Sequence, residues 1–377
     1  MEHLKCSRAW GKLLFEPMFS QLFIACAATA FLSYLLSLLS IRLATRWRAI
    51  DAPTLERKQH GRSVPRFGGI GIGLSMLLVI FFAWNAGWFN GAHISSFQLI
   101  GFSLGVLVLL VGGIWDDLKD LPSHILIWFP LAASLLVTFT GTLVRVVTQI
   151  GSVRGSSLVW RTWLFSTYPH LIVLIWPASL ITFLWLLSVT AATKFADGLD
   201  GLVTGQTMIG ACLIAALALS PRYAQPSIAL FAAIVGGAFL GFLPLNVFPA
   251  KQFLGEAGST IAGFALGTLA IVSGAKMATA LMALGVPLAD IVFVMLGRIW
   301  RGQHPFHGDR THLHFRLLQL GLTQRQAVAM LWMISITFGI GAFALQTRGK
   351  ILLLLALGCL TFVISWFAKR RAANMES

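Results

Sequence analysis

Long apolar runs alternate with short polar segments along the whole chain. Eleven of these runs approach the roughly 20 residues that an α-helix needs to cross a lipid bilayer. The predicted spans are 21–40, 68–90, 97–115, 124–142, 171–191, 202–220, 227–245, 259–275, 278–297, 327–346 and 350–368. Glycine and proline inside them do not argue against helix, because lipid-embedded helices tolerate both. We therefore predict an all-α, polytopic integral membrane helix bundle, with residues 1–377 forming one transmembrane domain.

Composition excludes an ordinary soluble domain. The chain is 57% hydrophobic and 11% charged, with a mean hydropathy of +0.82, whereas soluble domains carry about 25% charged residues. No cleavage site for a signal peptide is recognisable around the first apolar run, so we expect that run to be retained as a span. The four cysteines lie far apart and three fall inside apolar runs, which predicts buried thiols and no disulfide framework.

The basic residues orient the predicted bundle. If the N-terminus lies outside, alternate loops fall on the cytoplasmic side, and with the C-terminal tail they hold 18 of the 28 Lys and Arg residues. These loops are 41–67, 116–123, 192–201, 246–258 and 298–326. The asymmetry follows the positive-inside rule. The net charge of +15 therefore indicates anionic lipid or phosphate-bearing substrates at this face, and we expect no nucleic-acid partner.

Most of the acidic residues fall in the same loops. They are Asp51, Glu56, Asp116, Asp117, Asp120, Asp197, Asp200, Glu256 and Asp309. Any one of them could merely cap a helix or solvate a loop. Because the parity of the spans brings separate loops to one membrane surface, their combination with glycine and with basic residues predicts a shared functional site.

Two of these loops pair their acids closely. Asp116 and Asp117 are adjacent in GGIWDDLKD, and like charges so close require a cation or a shared proton. Mg²⁺ prefers carboxylates with few other protein ligands, leaving positions for water and substrate phosphate; Mn²⁺ is the alternative. Asp197 and Asp200 in ADGLDGL are three residues apart, so they would share one helical face if a helix starts there.

Two further loops supply polar and basic groups. NVFPAKQFLGEAGS (246–259) offers an amide, an ammonium and a carboxylate before a helix N-terminus that could bind an anion. The loop 298–326 contains the basic residues Arg298, Arg301, His304, His307, Arg310, His312 and His314. Its histidines could bind zinc, but the interleaved arginines favour a phosphate- or sugar-binding loop. Asp290, eight residues before Arg298, is either a functional intramembrane acid or half of a structural ion pair.

Taken together, the residues predict phosphoryl transfer between a lipid and a soluble phosphate compound. Five segments, in order, resemble the polyprenyl-phosphate N-acetylhexosamine-1-phosphate transferase superfamily. They are RKQHGRSVPRFGG (57–69), WDDLKD (115–120), FADGLDGL (195–202), LNVFPAKQFLGEAGS (245–259) and HPFHGDRTHLHFRL (304–317). The Asp-Arg-Thr-His-Leu-His form of the last segment is more similar to the undecaprenyl-phosphate GlcNAc-1-phosphate transferase branch than to the muramoyl-pentapeptide branch.

The resemblance implies transfer of a HexNAc-1-phosphate from a UDP-sugar to undecaprenyl phosphate, with release of UMP, on the cytoplasmic face of a bacterial inner membrane. It implies Asp116, Asp117, Asp197 and Asp200 as the catalytic acids. Asp117 and Glu256 would bind Mg²⁺, while Asp116 would activate or orient the lipid phosphate. Substrate contacts are expected from Lys58, His60, Lys194, Asn246, Lys251, Arg310, His312 and His314. A homodimer stays an open alternative.

Three positions depart from the family's pattern. Glu256 stands where the family usually has Asp, Phe315 replaces a histidine, and Lys194 replaces an asparagine. We predict that the Lys194 ammonium contacts substrate phosphate, at some loss of metal affinity through repulsion.

The departures leave several alternatives open. They suit a catalytically weakened relative, and inward-facing acids could also serve a cation-coupled transporter, although the middle of each span is mostly apolar and no paired halves are recognisable. GlcNAc is the default donor sugar. FucNAc or QuiNAc is an alternative because Phe315 is apolar, MurNAc-pentapeptide is another, and a one-step or two-step transfer fits equally.

Overall fold

The helices of the molecule follow the apolar runs. The computed structural model describes residues 2–51, 63–89, 93–144, 175–274, 285–300, 302, 312–345 and 347–376. Within these ranges, nine segments are long and apolar enough to cross a membrane: Met18–Trp47, Gly68–Asn85, Ser96–Lys119, Ala178–Ala196, Leu202–Leu219, Pro226–Asn246, Gly255–Val272, Gln324–Ala344 and Gly349–Phe367. The prediction of a polytopic membrane helix bundle is confirmed. The orientation of its termini stays a prediction.

In chain order, the described residues between positions 2 and 274 form the helices α1 (Glu2–Trp47), α2 (Gly68–Asn85), α3 (Ser96–Lys119), α4 (Ser123–Leu126), α5 (Trp128–Phe139), α6 (Ala178–Ala196), α7 (Leu202–Leu219), α8 (Pro226–Asn246) and α9 (Gly255–Val272). They are followed by α10 (Gly285–Ile299), α11 (Leu313–Gln319), α12 (Gln324–Ala344) and α13 (Thr347–Glu376). An antiparallel pair of short strands, β1 (Ile50–Asp51) and β2 (Val64–Pro65), lies between α1 and α2.

Two of the eleven predicted spans have shorter helical counterparts. The run 124–142 forms α4 and α5, which together occupy Ser123–Phe139. The run 278–297 contains α10, which has 15 residues and is therefore about 22 Å long at 1.5 Å per residue. Asp290 and Arg298 interrupt the apolar surface of α10, and residues 275–284 lie outside the described ranges. The number of membrane crossings accordingly stays a prediction.

Small residues allow the central helices to pack with their backbones close together. On α8, a side chain at Gly237 or Gly241 would meet the carbonyl oxygens of Cys26 and Ala30 on α1. On α9, a side chain at Gly263 would meet the backbone of α6. Close approach through glycine is typical of helix packing in lipid, where burial of apolar surface gives little additional driving force.

Aromatic side chains fill the space between three of the helices. Phe102 of α3 stacks on Phe264 of α9 with a ring-centroid distance of 5.6 Å and meets Phe231 of α8 edge-on at 4.8 Å. All three rings are fully buried. The bundle interior therefore forms a well-packed frame for the loops at its ends.

Backbone hydrogen bonds join the strand pair to the segment that precedes α9. The Phe253 N–H donates to the Pro65 carbonyl at 2.9 Å, and the Gly68 N–H donates to the Phe253 carbonyl at 3.0 Å. The Gly69 N–H donates to the Leu254 carbonyl at 2.8 Å. The first turns of α2 and α9 are thus fixed side by side, next to the last turn of α3.

Candidate active site

A cavity of about 440 Å³ lies at the end of the bundle where these elements meet. Residues from five separated parts of the sequence line it, between positions 51 and 324. Its charged lining residues are Asp51, Arg66, Asp116, Asp117, Lys194, Asp197, Asp200 and Glu256. The fold thus brings together six of the acidic residues that the sequence placed on one membrane face.

The paired acids at the end of α3 have different surroundings. The Leu121 N–H donates to Asp116 Oδ1 at 2.9 Å, which ties Asp116 to the point where the chain leaves the helix. Asp117 is 8% exposed, and its Oδ1 accepts a hydrogen bond from the Glu256 N–H at 3.3 Å. Its Oδ2 is buried and has no hydrogen-bond partner among the described residues. A buried carboxylate oxygen without a partner is costly unless a cation satisfies it.

Gly255 makes the close approach of α9 to Asp117 feasible. It has a φ of 70°, in the left-handed region that favours glycine. A Cβ atom at this position would collide with Asp117 Oδ2 and with the Arg66 carbonyl oxygen. The Glu256 N–H in the first turn of α9 can therefore face the Asp117 carboxylate, as is typical of anion binding at a helix N-terminus.

The segment ADGLDGL is both a turn and a wall of the cavity. Asp197 is the C-cap of α6, and Gly201, with a φ of 80°, is the N-cap of α7. The expectation that Asp197 and Asp200 share one helical face is wrong, because they lie in the turn between two helices. They nevertheless line the same cavity, and Asp200 Oδ2 accepts a hydrogen bond from the Ala250 N–H at 3.0 Å.

The electrostatics of this turn favour a bound cation. The pKa of Asp197 is raised from its usual value to about 7, first by burial and then by the negative charges of Asp200 and Glu256. A carboxyl group in this state is about half protonated at neutral pH. A cation placed among these acids would offset their repulsion and restore the ionised form.

Asn246 holds the turn against the loop that follows α8. Its Oδ1 accepts hydrogen bonds from the Gly201 N–H at 3.1 Å and from Thr204 Oγ1 at 2.6 Å. Its Nδ2 donates to the Gln252 carbonyl at 3.0 Å. Because these three bonds use the amide within the protein, the geometry gives Asn246 a positioning role at the cavity wall.

We expect Asn246→Ala to lower the free energy of unfolding by about 3 kcal/mol, because three buried polar groups lose their partner. Thr204→Val removes one of these bonds and should lower the free energy by about 1 kcal/mol. Melting temperatures in detergent, measured side by side, check the ranking. Equal losses for the two variants would contradict this role for Asn246.

Lys194 lies in the last turn of α6 and contacts an acid on another helix. Its Nζ is 2.7 Å from Glu256 Oε1 in the first turn of α9. Lys194 departs from the family's pattern in charge and Glu256 departs from it in side-chain length. These two residues form an ion pair with each other. The Lys194 side chain also lines the cavity, where a substrate anion could reach it.

Arg66 is a cavity residue that the sequence analysis did not select. Its guanidinium contacts Asp51, and its Nη1 is 3.1 Å from Asp120 Oδ1. It thereby joins the strand pair to the end of α3. Its position two residues before the Gly-Gly that begins the second apolar run was the available signal, but many loop arginines next to a membrane serve only orientation.

The described part of the histidine loop packs behind the turn 197–201. His312 Nδ1 is 2.9 Å from Asp290 Oδ2, and the Leu313 N–H donates to Asp290 Oδ1 at 2.8 Å. Asp290 therefore anchors the start of α11. The ring of His314 is buried against Gly198, where a Cβ atom would collide with it. Burial lowers the pKa of His314 to about 4, so the imidazole is neutral at pH 7.

The remaining predicted residues are placed as follows. Phe315, and neither His312 nor His314, belongs to the described lining of the cavity. Lys251 is exposed on the neighbouring loop and is not part of that lining. Lys58, His60 and Arg310 lie outside the described residues. The structure therefore assembles the acids and Lys194 and places the two histidines behind them.

The acidic residues fit a Mg²⁺ ion that is completed by substrate. In the part of the chain that the structure describes, no three His, Cys, Asp or Glu side chains are arranged to hold a metal by themselves. Mg²⁺ is usually bound by one or two carboxylates together with water and substrate phosphates. The buried, unpartnered Asp117 Oδ2, with Glu256 beside it in the same cavity, meets that requirement.

Comparison with known proteins identifies the family to which the chain is similar. The family model described as glycosyl transferase family 4 matches residues 99–274, which include the paired acids, the turn 197–201 and Glu256. The chain is 30% identical over 329 residues to the probable undecaprenyl-phosphate N-acetylglucosaminyl 1-phosphate transferase of Bacillus subtilis (strain 168), covering 84% of each chain.

Two other relatives represent both branches of the family. The undecaprenyl-phosphate alpha-N-acetylglucosaminyl 1-phosphate transferase of Escherichia coli O157:H7 is 27% identical over 77% of this chain and 74% of its own length. The phospho-N-acetylmuramoyl-pentapeptide-transferase of Synechococcus sp. (strain RCC307) is 31% identical over 63% of this chain and 67% of its own length. The alignment with the Synechococcus protein, over 262 residues, is shorter than the alignment with the Escherichia coli protein, over 302 residues.

Proposed function

Since this chain belongs to glycosyl transferase family 4, in the branch of the undecaprenyl-phosphate N-acetylglucosaminyl 1-phosphate transferases, we propose that it transfers a HexNAc-1-phosphate from a UDP-sugar to undecaprenyl phosphate and releases UMP. The observation that carries this proposal is the cavity at one end of a membrane helix bundle, lined by Asp116, Asp117, Asp197, Asp200 and Glu256. Such a site can serve a lipid phosphate from the membrane and a soluble pyrophosphate from the adjoining water.

The transfer exchanges one phosphoanhydride linkage for another. An oxygen of the lipid phosphate forms a bond to the phosphorus that carries the sugar, and the bond from that phosphorus to the oxygen of the UMP group breaks. UMP leaves with the electron pair. A carboxylate could also take the sugar phosphate first and pass it on, with the same overall balance. In either case the protein positions the reacting groups and stabilises charge on the transferred phosphoryl group.

The residues that line the cavity have different surroundings, and we assign each a role on that basis. Asp116 is partly exposed at the cavity, where it can orient the lipid phosphate and accept its proton. Asp117 and Glu256 would hold Mg²⁺, for which Mn²⁺ is an alternative. A bound divalent cation would neutralise pyrophosphate oxygens. Asp197 and Asp200 add two further carboxyl groups to the lining of the cavity, and Asn246 keeps their turn in place.

The distribution of basic residues supports a location for the reaction. With 18 of 28 Lys and Arg residues in the loops on the cavity side and in the C-terminal tail, this side is expected to face the cytoplasm. UDP-sugars would then reach the cavity from the cytoplasm, with the chain in a bacterial inner membrane. The lipid-linked product would begin a cell-envelope glycan such as an O-antigen.

A panel of UDP-sugars tests the reaction and the donor together. Purified protein in detergent, supplied with undecaprenyl phosphate and Mg²⁺, is expected to form a radiolabelled lipid product and UMP from UDP-GlcNAc. Phe315 lines the cavity, which favours UDP-FucNAc or UDP-QuiNAc as the second candidate donor, because an apolar ring suits a 6-deoxy sugar better than a hydroxymethyl group. UDP-MurNAc-pentapeptide completes the panel.

The outcomes separate the competing classes of protein. A lipid product with any of these donors, dependent on divalent metal, supports the transferase. A purified protein that is folded and monodisperse yet forms no product with any donor would rule out the proposed reaction and leave a scaffold or a transporter. Cation uptake into proteoliposomes then distinguishes these two.

A further inference from the structure

The ion pair between Lys194 and Glu256 joins the two charged positions at which the cavity departs from the family's pattern. The Nζ–Oε1 distance is 2.7 Å, and the pair links the last turn of α6 to the first turn of α9. Building on the proposed function, we propose that Lys194 is a tethered cation that shares the Glu256 carboxylate with the divalent metal and thereby lowers the metal affinity of the substrate-free site.

Lys194 lies where it can neutralise Glu256 without a metal. The Glu256 side chain is 11% exposed, and a carboxylate so buried requires a counter-charge or a proton. Among the described lining residues the other cation is Arg66, which pairs with Asp51 and Asp120. The ammonium of Lys194 is therefore the counter-charge for Glu256 within the described site.

The two partners differ in how easily they can move. Lys194 is 37% exposed in its side chain and ends a flexible four-carbon stem. Glu256 lies in the first turn of the buried helix α9, and its own N–H donates to Asp117 Oδ1 at 3.3 Å. A phosphate anion entering the cavity can attract the ammonium, whereas the carboxylate stays in place. Substrate would then release Glu256 for the metal, so metal and substrate would bind cooperatively.

The pairing also explains why both departures can coexist in one site. An asparagine at position 194 would leave Glu256 among Asp116, Asp117 and Asp197 with no neighbouring ammonium, and this arrangement attracts a divalent cation more strongly. The lysine offsets one of these charges as long as no substrate is bound. The two residues thus form one compensated unit, and the effects of substituting them should depend on each other.

Mn²⁺ binding without substrate tests this inference. The dissociation constant of Mn²⁺ is measured by electron paramagnetic resonance on the purified full chain, for the wild type, Lys194→Asn, Glu256→Gln and the double variant. Lys194→Asn is expected to bind Mn²⁺ about tenfold more tightly, a typical size for a residue that acts on a metal through its ligand. Glu256→Gln should change the affinity of the wild type by less than about threefold, yet remove the gain in the Lys194→Asn background.

Two further variants make the result specific. Lys119→Asn removes one positive charge from the same end of the bundle, at an exposed residue outside the cavity lining, and should leave Mn²⁺ affinity within about twofold because solvent screens it. Lys194→Met keeps the length of the side chain and should reproduce the tighter binding if Lys194→Asn does not fold.

Two results of the Mn²⁺ binding measurements would contradict the inference. Binding by both Lys194 variants that is no tighter than that of the wild type would overturn the inference. The inference would also be overturned if Glu256→Gln weakened Mn²⁺ binding by the same factor in the wild type and in the Lys194→Asn background. The assay contains neither UDP-sugar nor lipid, so tighter Mn²⁺ binding together with a failed transfer assay would reject the proposed function and leave the ion-pair inference standing.

Discussion

Asp117→Asn should abolish transfer, with a turnover number at least about a thousandfold below that of the wild type. The reason is that Asp117 would contribute a buried oxygen to the divalent cation, and this cation would stabilise the charge on the reacting phosphates. Asp117 Oδ2 is buried without a hydrogen-bond partner among the described residues. An amide has nearly the same shape and keeps an oxygen that can accept the hydrogen bond from the Glu256 N–H. The fold should therefore survive while the metal affinity is lost.

Asp120→Asn is the matched control for this prediction. It removes a carboxylate three residues along the same segment, where the side chain is 87% exposed, and asparagine also tolerates the left-handed backbone found there. The control should stay within about threefold of the wild-type rate, because exposed ion pairs contribute little. Initial rates, with melting temperatures to verify folding, give the comparison. An Asp117→Asn protein with near-normal rates would remove Asp117 from the proposed metal site.

Gly255→Ala should also inactivate the protein, by about a hundredfold or more, although it changes no chemical group of the site. The alanine Cβ would be forced toward Asp117 Oδ2 and the Arg66 carbonyl oxygen. The Arg66 carbonyl oxygen cannot retreat easily, because it accepts a hydrogen bond from the Gly68 N–H at the start of α2. The Asp117 carboxylate is held through its other oxygen, which accepts from the Glu256 N–H. The first turn of α9 would have to move away from α3, taking Glu256 with it.

Gly321→Ala separates this collision from the cost of the backbone conformation. Gly321 has a φ of 92°, and a Cβ atom there would meet nothing within 4 Å. Its alanine variant should lose only the roughly 1–2 kcal/mol of a left-handed residue and keep its activity. Rates and melting temperatures of the two variants are measured together. Retention of full activity by Gly255→Ala would show that α9 can shift without disturbing the carboxylates.

The general architecture was predictable because the bilayer imposes strong rules on sequence. Apolar runs near 20 residues fix where helices cross, and their parity groups the loops onto two faces. From this alone Asp116, Asp117, Asp197, Asp200 and Glu256 were expected near one another, and the structure places all five around one cavity. The family also followed from the order of the motifs, since it rests on residue identity and spacing, and both are properties of the chain itself.

The chemical relations between those residues were not predictable, because they depend on which helices pack side by side. Lys194 and Glu256 are 62 positions apart and meet only because α6 packs against α9. For the same reason Asp290 binds His312, and Asn246 uses its amide within the protein.

Hydrophobic pattern and charge therefore determine which residues reach the membrane surface together, since partition into lipid acts on each segment independently. Partner choice and the burial of single oxygen atoms are decided by three-dimensional packing. There, close contacts such as that of Gly255 with Asp117 make one arrangement of the carboxylates sterically feasible.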